Sequence, residues 1–221
     1  MNVIQYQRFY VLQFLSMLNH SILAISDTHG QHRALGELPE ADVLVHSGDF
    51  TQEGTEQEAC DFMNWLCKLP HKHKIFIAGN HDLCMHGATR IEGLPDNVHY
   101  LCHSGVEIFG LRFYGVPMFV QDIQDGNYAH FIQQIPDHTD ILITHQPPFS
   151  ICDLADYGNG PTHHGNKQLL ERVTRLAPRC HLFGHEHDAY AMETIGGTLF
   201  SNASLLDSHF NLINPSRRIV L

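Results

Sequence analysis

The chain has 221 residues, 43% of them apolar and 17% charged, which is an ordinary globular mixture with material for one large domain. A formal net charge of −11 argues against a surface that grips long nucleic acids, since phosphate backbones are held by clustered Lys and Arg. Six scattered cysteines without a CxxC pair argue against a disulfide framework or a zinc ribbon and for reduced thiols in the cytoplasm, and no apolar run is long enough to span a membrane.

Residues 1–20 read as an N-terminal extension and lead-in, and residues 21–221 as the domain. The run "FYVLQFLSML" (Phe9 to Leu18) is broken by Gln13 and Ser16 and preceded by the single basic Arg8, which argues against a signal peptide. From Ser21 onward, five short apolar runs predict strands buried on both faces: "SILAIS", "ADVLVH", "KIFIA", "DILIT" and "HLF". Between the second and third, "TEQEACDFMNWLCKL" predicts a helix. Ala59, Phe62, Met63, Leu66 and Cys67 make its apolar face, Thr55 with Glu58 a capping box, and Pro70 its stop. "NKQLLERVTRLA" repeats the helical stripe through Leu169, Leu170, Val173, Leu176 and Ala177. "VEIFGLRFYGV" and "ETIGGTLFSNAS" predict hairpins that turn at Gly110 and at Gly196-Gly197. The fold class is therefore α/β, a sheet sandwich with helices outside.

The chemistry gathers where the predicted strands stop. Ligands of open α/β sheets sit beyond the carboxyl ends of strands, and five such ends deliver Asp27, His29, Asp49, Asn80, His81, His145, His185 and His187 to one rim. The set mixes carboxylate and amide oxygens with imidazoles and has no thiolate, a composition suited to Mn²⁺, Fe or Zn²⁺. It is too large for one ion. Two ions about 3.5–4 Å apart that share a carboxylate would use it.

The ordered blocks "DTH", "GD", "GNHD", "TH" and "GHEH" resemble the calcineurin-like metallophosphoesterases, from about Ser21 to the C-terminus. Within them, "VLVHSGDFT", "ITHQPP", "HLFGHEHDAY" and "FSNAS" look most like the small single-domain metallophosphoesterase-domain proteins of animal brain and their bacterial relatives. The resemblance implies a four-layer α-β-β-α sandwich and a dinuclear phosphodiesterase. Asp27, His29 and His187 would hold one metal, Asn80, His145 and His185 the other, and Asp49 would bridge them. His81 would contact the phosphoryl oxygen and protonate the leaving alkoxide, with Asp82 orienting its second ring nitrogen. A metal-bridged hydroxide would attack phosphorus in line.

The expected substrate is a small phosphodiester, cyclic nucleotides first. A phosphomonoesterase and a non-catalytic scaffold of the same fold are the alternatives. Other conspicuous residues carry blander expectations: Asn202 bonds loop backbone, His46 is a buried strand residue, Trp65 is core, and His71, His73, His163 and His164 are solvated.

Overall fold

A computed structural model describes residues 20–221, so the expected N-terminal extension lies outside the described residues apart from His20. Among the described residues, thirteen strands and four α-helices follow in chain order. The first sheet contains β1 (Ser21–Ile25), β2 (Val43–His46), β3 (His73–Phe76), β4 (Val98–Tyr100) and, from the C-terminus, β13 (Arg217–Val220). Its order is β13-β1-β2-β3-β4, with β1 to β4 mutually parallel and β13 antiparallel to β1. The second contains β5 (Ser104–Ile108), β6 (Leu111–Val116), β7 (Ile141–Thr144), β10 (Cys180–Phe183), β11 (Met192–Ile195) and β12 (Thr198–Asn202), in the order β11-β12-β10-β7-β6-β5. A short hairpin of β8 (Leu154–Ala155) and β9 (Thr162–His163) stands apart.

The strand alternation explains the layers. Ile22, Ala24, Val43, Val45, Ile75 and Ile77 of the first sheet pack against Phe113, Ile141, Ile143 and Leu182 of the second. Their in-between neighbours, Leu23, Ile25, Leu44 and Phe76, face outward onto helix α1 (Glu56–Lys68) through Ala59, Phe62, Trp65 and Leu66. On the far side, Tyr114, Leu142, Phe183 and Phe200 meet Tyr128 and Ile132 of α3 (Asn127–Gln133) and Leu169 and Val173 of α4 (Lys167–Leu176). A strand side chain therefore reaches an apolar layer whichever way it points, which is why the runs read as continuously hydrophobic. The fold is the expected four-layer α-β-β-α sandwich in a single domain.

Both predicted helices form, the first with its expected capping box. Thr55 Oγ1 accepts from Glu58 N while Glu58 accepts from Thr55 N, and Asn166 caps α4 at Leu169 N. The hairpins turn at Phe109-Gly110 and at Gly196-Gly197, all with positive φ. Two helices lacked a sequence signal: α2 (Val120–Gln124) and α3 have no side-chain cap at their starts and are short. His71, expected in solvent, is buried, because the turn into β3 sets its ring against the loop before β2, with Nε2 3.1 Å from the Pro39 carbonyl. Among the described residues, no helix is long and apolar enough to cross a membrane.

Candidate metal centre

The parallel strands β1, β2, β3, β7 and β10 all release their chains at one end of the sandwich, and the candidate residues follow within a few positions. Asp27 and Asp49 are buried, and His29, His145, His185 and His187 surround them. Three groups of ligand atoms converge: Asp27, His29 and His187; His29, Asp49 and His81; and Asp49, His145 and His185. Asp49 lies in the middle. Its Oδ2 is 3.6 Å from His29 Nε2 on one side and 3.3 Å from His145 Nε2 on the other. Asn80 Oδ1 is 3.0 Å from His145 Nε2, and His187 Nε2 is 3.5 Å from Asp27 Oδ1. All nine predicted residues are thus in one region. Eight of them line or underlie one cleft, and Asp82 sits behind it.

The local chain explains how so many side chains converge. Asp27, His29, Asp49 and His185 all have left-handed backbone, with φ of 54°, 40°, 56° and 71°. Asp and His tolerate this region better than most residues, yet each instance costs about 1–3 kcal/mol and persists only where its surroundings enforce it. The turns aim the side chains inward. Glycine then lets the backbones approach: a Cβ on Gly79 would lie 2.2 Å from Asp49 Oδ1 and 2.7 Å from His145 Cε1.

Hydrogen bonds fix which atom of each group faces the centre. His81 N donates to Asp49 Oδ1 at 2.8 Å, leaving Oδ2 for the imidazoles. Ser204 Oγ and His185 N donate to Asp27 at 2.7 and 3.0 Å. A backbone carbonyl can only accept, so His145 Nδ1 donates to Ser47 O at 2.9 Å and His187 Nδ1 donates to Asp207 O at 2.9 Å. Both rings therefore present Nε2 inward, the arrangement by which proteins orient metal-binding imidazoles.

The electrostatics point the same way. Burial opposes charge on His145, but the Asp49 and Asp27 carboxylates outweigh it and hold the ring up to about 10. Burial likewise opposes charge on His187, which its bond to Asp27 nevertheless lifts to about 9. Burial pushes His29 and His185 down to about 4. Among the described residues Asp27 and Asp49 have no Lys or Arg partner, and the ionisable groups that pair with them are imidazoles. Two buried carboxylates ringed by inward-facing ring nitrogens call for positive charge, and divalent ions fit this donor set. His29 Nε2 and His187 Nε2 lie 3.3 Å apart, close enough for both rings to reach one cation.

Asp82 corrects an expectation. Its carboxylate does not touch the His81 ring; it is fully buried and accepts from Asp49 N, Thr51 N and Gly79 N at 2.9, 2.9 and 2.8 Å and from Thr51 Oγ1 at 2.8 Å. Burial, with the nearby Asp49 charge, pushes its carboxyl up to about 7 against the pull of those donors. The physical reason is demand: the loops after β2 and β3 bury three amides that need an acceptor. The Gln52 carbonyl takes the place foreseen for Asp82, accepting from His81 Nδ1 at 3.0 Å. Asn202 bonds loop backbone as expected, donating to Glu186 O and Cys152 O. His46 is buried, with Nε2 3.0 Å from Thr28 Oγ1 beside Asp27. The cleft wall also holds Tyr157 and Phe210, which stand outside the three converging ligand groups and gave no signal in the sequence.

A sequence model described as calcineurin-like phosphoesterase matches residues 20–189. The chain belongs to the calcineurin-like phosphoesterase family. The chain is 37% identical over 212 residues to a UPF0046 protein of Caenorhabditis elegans, covering 84% of this chain and 75% of that protein. It is 31% identical over 225 residues to human metallophosphoesterase domain-containing protein 1, covering 87% of this chain and 68% of the other. One solved crystal structure superposes with a TM-score of 0.60 at 15% identity, over 83% of this chain and 90% of that one, a likeness of fold.

Proposed function

We propose that the chain is a dinuclear metal-dependent phosphodiesterase acting on small diesters, cyclic nucleotides among them. The observation that carries the proposal is the position of Asp49, whose Oδ2 is shared between His29 and His145 at 3.6 and 3.3 Å. Asp27, His29 and His187 would hold one ion, Asn80, His145 and His185 the other, and Asp49 both. Two divalent ions, when bound, supply a nucleophilic water at neutral pH and offset charge on the phosphoryl oxygens.

The protein's own residues do the rest. His81 is fixed through Nδ1 to the Gln52 carbonyl, which leaves Nε2 to meet the phosphoryl oxygen and pass a proton to the leaving alkoxide. Asp82 ties together the two loops that carry Asp49 and Asn80–His81, and so acts as a positioning residue. Among the described residues no Lys or Arg lines the cleft, so beyond its imidazoles no side-chain cation answers the second negative charge of a monoester, which favours a diester. The net charge of −11 disfavours long nucleic acids. The six cysteines are free, as a reducing cytoplasm keeps them, and we place the protein there.

Hydrolysis of bis(p-nitrophenyl) phosphate with added Mn²⁺, against p-nitrophenyl phosphate as the monoester, tests the proposal. Diester turnover that needs metal and falls about 10²–10⁴-fold in His81→Ala is expected, the range for losing a general acid. Folded, metal-loaded protein that turns over neither ester, or only the monoester, would overturn it.

A further inference from the structure

The cleft above the metal centre has two aromatic walls that the chemistry just described does not use. Phe210 is 39% and Tyr157 66% exposed, and both line a cleft of about 230 Å³ whose floor includes His29, Asp49, His81 and His187.

Phe210 is held there against two preferences. A large apolar ring is kept in solvent, and its backbone is left-handed, with φ of 60°. The loop around it is pinned rather than loose: Asp207 Oδ1 accepts from His209 N and Asn211 N, and Gln31 Nε2 donates to the Phe210 carbonyl at 2.9 Å. The ring stands edge-on to His29 at 4.9 Å and to His187 at 5.4 Å, so it borders the centre directly. Tyr157 arrives from the connection between β8 and β9. Its hydroxyl donates at 2.8 Å to the buried Glu186, the residue between His185 and His187. Each aromatic is thus anchored to the ligand-bearing segments at one edge and leaves ring surface open.

Among the described residues the cleft offers no Lys or Arg, and its walls add the acidic Asp188. A second anionic group placed against that wall would meet the Asp188 carboxylate with no Lys or Arg to offset it. What the walls do offer is π surface, which favours planar rings over saturated groups of equal size. At about 230 Å³ the cleft lies below the roughly 300–1,000 Å³ typical of drug-sized ligands, enough for a phosphoryl group and one ring.

Building on the phosphodiesterase reading, we propose that Phe210 and Tyr157 form the recognition site for the organic group of the substrate, a neutral planar aromatic ring carried next to a single phosphate. A nucleobase and a simple aryl ester both meet this description. Phe210 supplies the fixed face and Tyr157 the outer one.

The test uses non-hydrolysable phosphonates, so that binding is read apart from turnover. Mn²⁺-loaded full-length protein is titrated calorimetrically, at a mildly acidic pH where each probe is mostly singly charged like a diester, with phenyl-, benzyl- and 2-phenylethylphosphonate and with their cyclohexyl counterparts. The proposal expects at least one aromatic member to bind about five- to tenfold tighter than its saturated partner, as one or two aromatic contacts allow. Phe210→Leu and Tyr157→Leu should each bring that ratio toward one, with cyclohexyl affinity and metal stoichiometry unchanged, and Phe210→Tyr should preserve it. Equal affinities in the wild type, no binding of any phosphonate, or an undiminished ratio in both leucine variants would overturn the proposal. Diester hydrolysis in the presence of those results would leave the phosphodiesterase reading standing. An aromatic preference without hydrolysis would remove that reading and keep this one.

Discussion

Gly184→Ala should disable the centre with little harm to the fold. Gly184 leads from β10 into His185, and a Cβ built on it would lie 2.0 Å from Asp27 Oδ2, 2.1 Å from Ser26 Oγ and 2.6 Å from Ser26 Cβ. Restoring 3.0 Å to the carboxylate requires a movement of about 1 Å, and a misplacement of that size near reacting atoms can cost about 100-fold in rate. Asp27 cannot yield by rotating into solvent: it is fully buried and held by Ser204 Oγ and His185 N. The strain of overpacking, about 1–3 kcal/mol, should lower Tm by a few degrees to about ten degrees in a domain of this size. Calorimetric titration with Mn²⁺ should show weakened binding at the site containing Asp27, and diester turnover should fall about 100-fold. Gly197→Ala is the control, because its hairpin position has φ of 90° and no neighbour within 4 Å; it should lose stability without losing turnover. Wild-type metal stoichiometry and turnover in Gly184→Ala would refute the reasoning.

The remaining predictions probe the surroundings of the centre. Glu58 accepts from the backbone amides of Gln52, Glu53 and Thr55, so it holds the carbonyl that orients His81; Glu58→Ala should lower kcat several-fold with KM nearly unchanged, whereas Glu58→Gln should retain most of kcat. Asp82→Asn replaces one acceptor oxygen by a donor among buried amides and should cost about 1–3 kcal/mol in urea unfolding, with weaker metal binding as Asp49 loosens. Asp42, bonded to Lys72 at 2.6 Å and to Ser21 N at 2.9 Å, is pulled down to about 2 from its ordinary 3.8 chiefly by that lysine. Its contribution to stability is therefore complete above about pH 4 and is lost as pH falls through 2. It amounts to less than about 2 kcal/mol because Lys72 is largely solvated. The urea stability gap between wild type and Asp42→Asn should close across that acid range, and a constant gap would contradict the assignment.

Much of this architecture was legible in the sequence because the relevant signals are local. The five apolar runs could be read as strands because both faces of each sheet are covered, so no polar alternation interrupts Ser21–Ile25 or Ile141–Thr144. Thr55 and Glu58 announced the start of α1 through a bond that spans three residues. The ligand candidates were legible for the same reason, since each follows directly on a strand. What escaped notice depends on distant partners. Asp82 follows His81 in the chain, yet its acceptor role is set by amides more than thirty residues away at Asp49 and Thr51. Ser204, in "FSNAS", reaches Asp27 across a separation of 177 residues. Phe210 and Tyr157 come from irregular segments with no periodicity, and only the folded chain sets them beside His29 and Glu186.

In the proposed centre Asp49 would bridge two ions. Crystals of the full chain soaked in Mn²⁺ and measured at the manganese absorption edge test it most directly. The account predicts two anomalous peaks about 3.5–4 Å apart, one beside Asp27, His29 and His187 and the other beside Asn80, His145 and His185, with Asp49 touching both. A single peak, or two peaks that leave Asp49 bound to one ion alone, would contradict it.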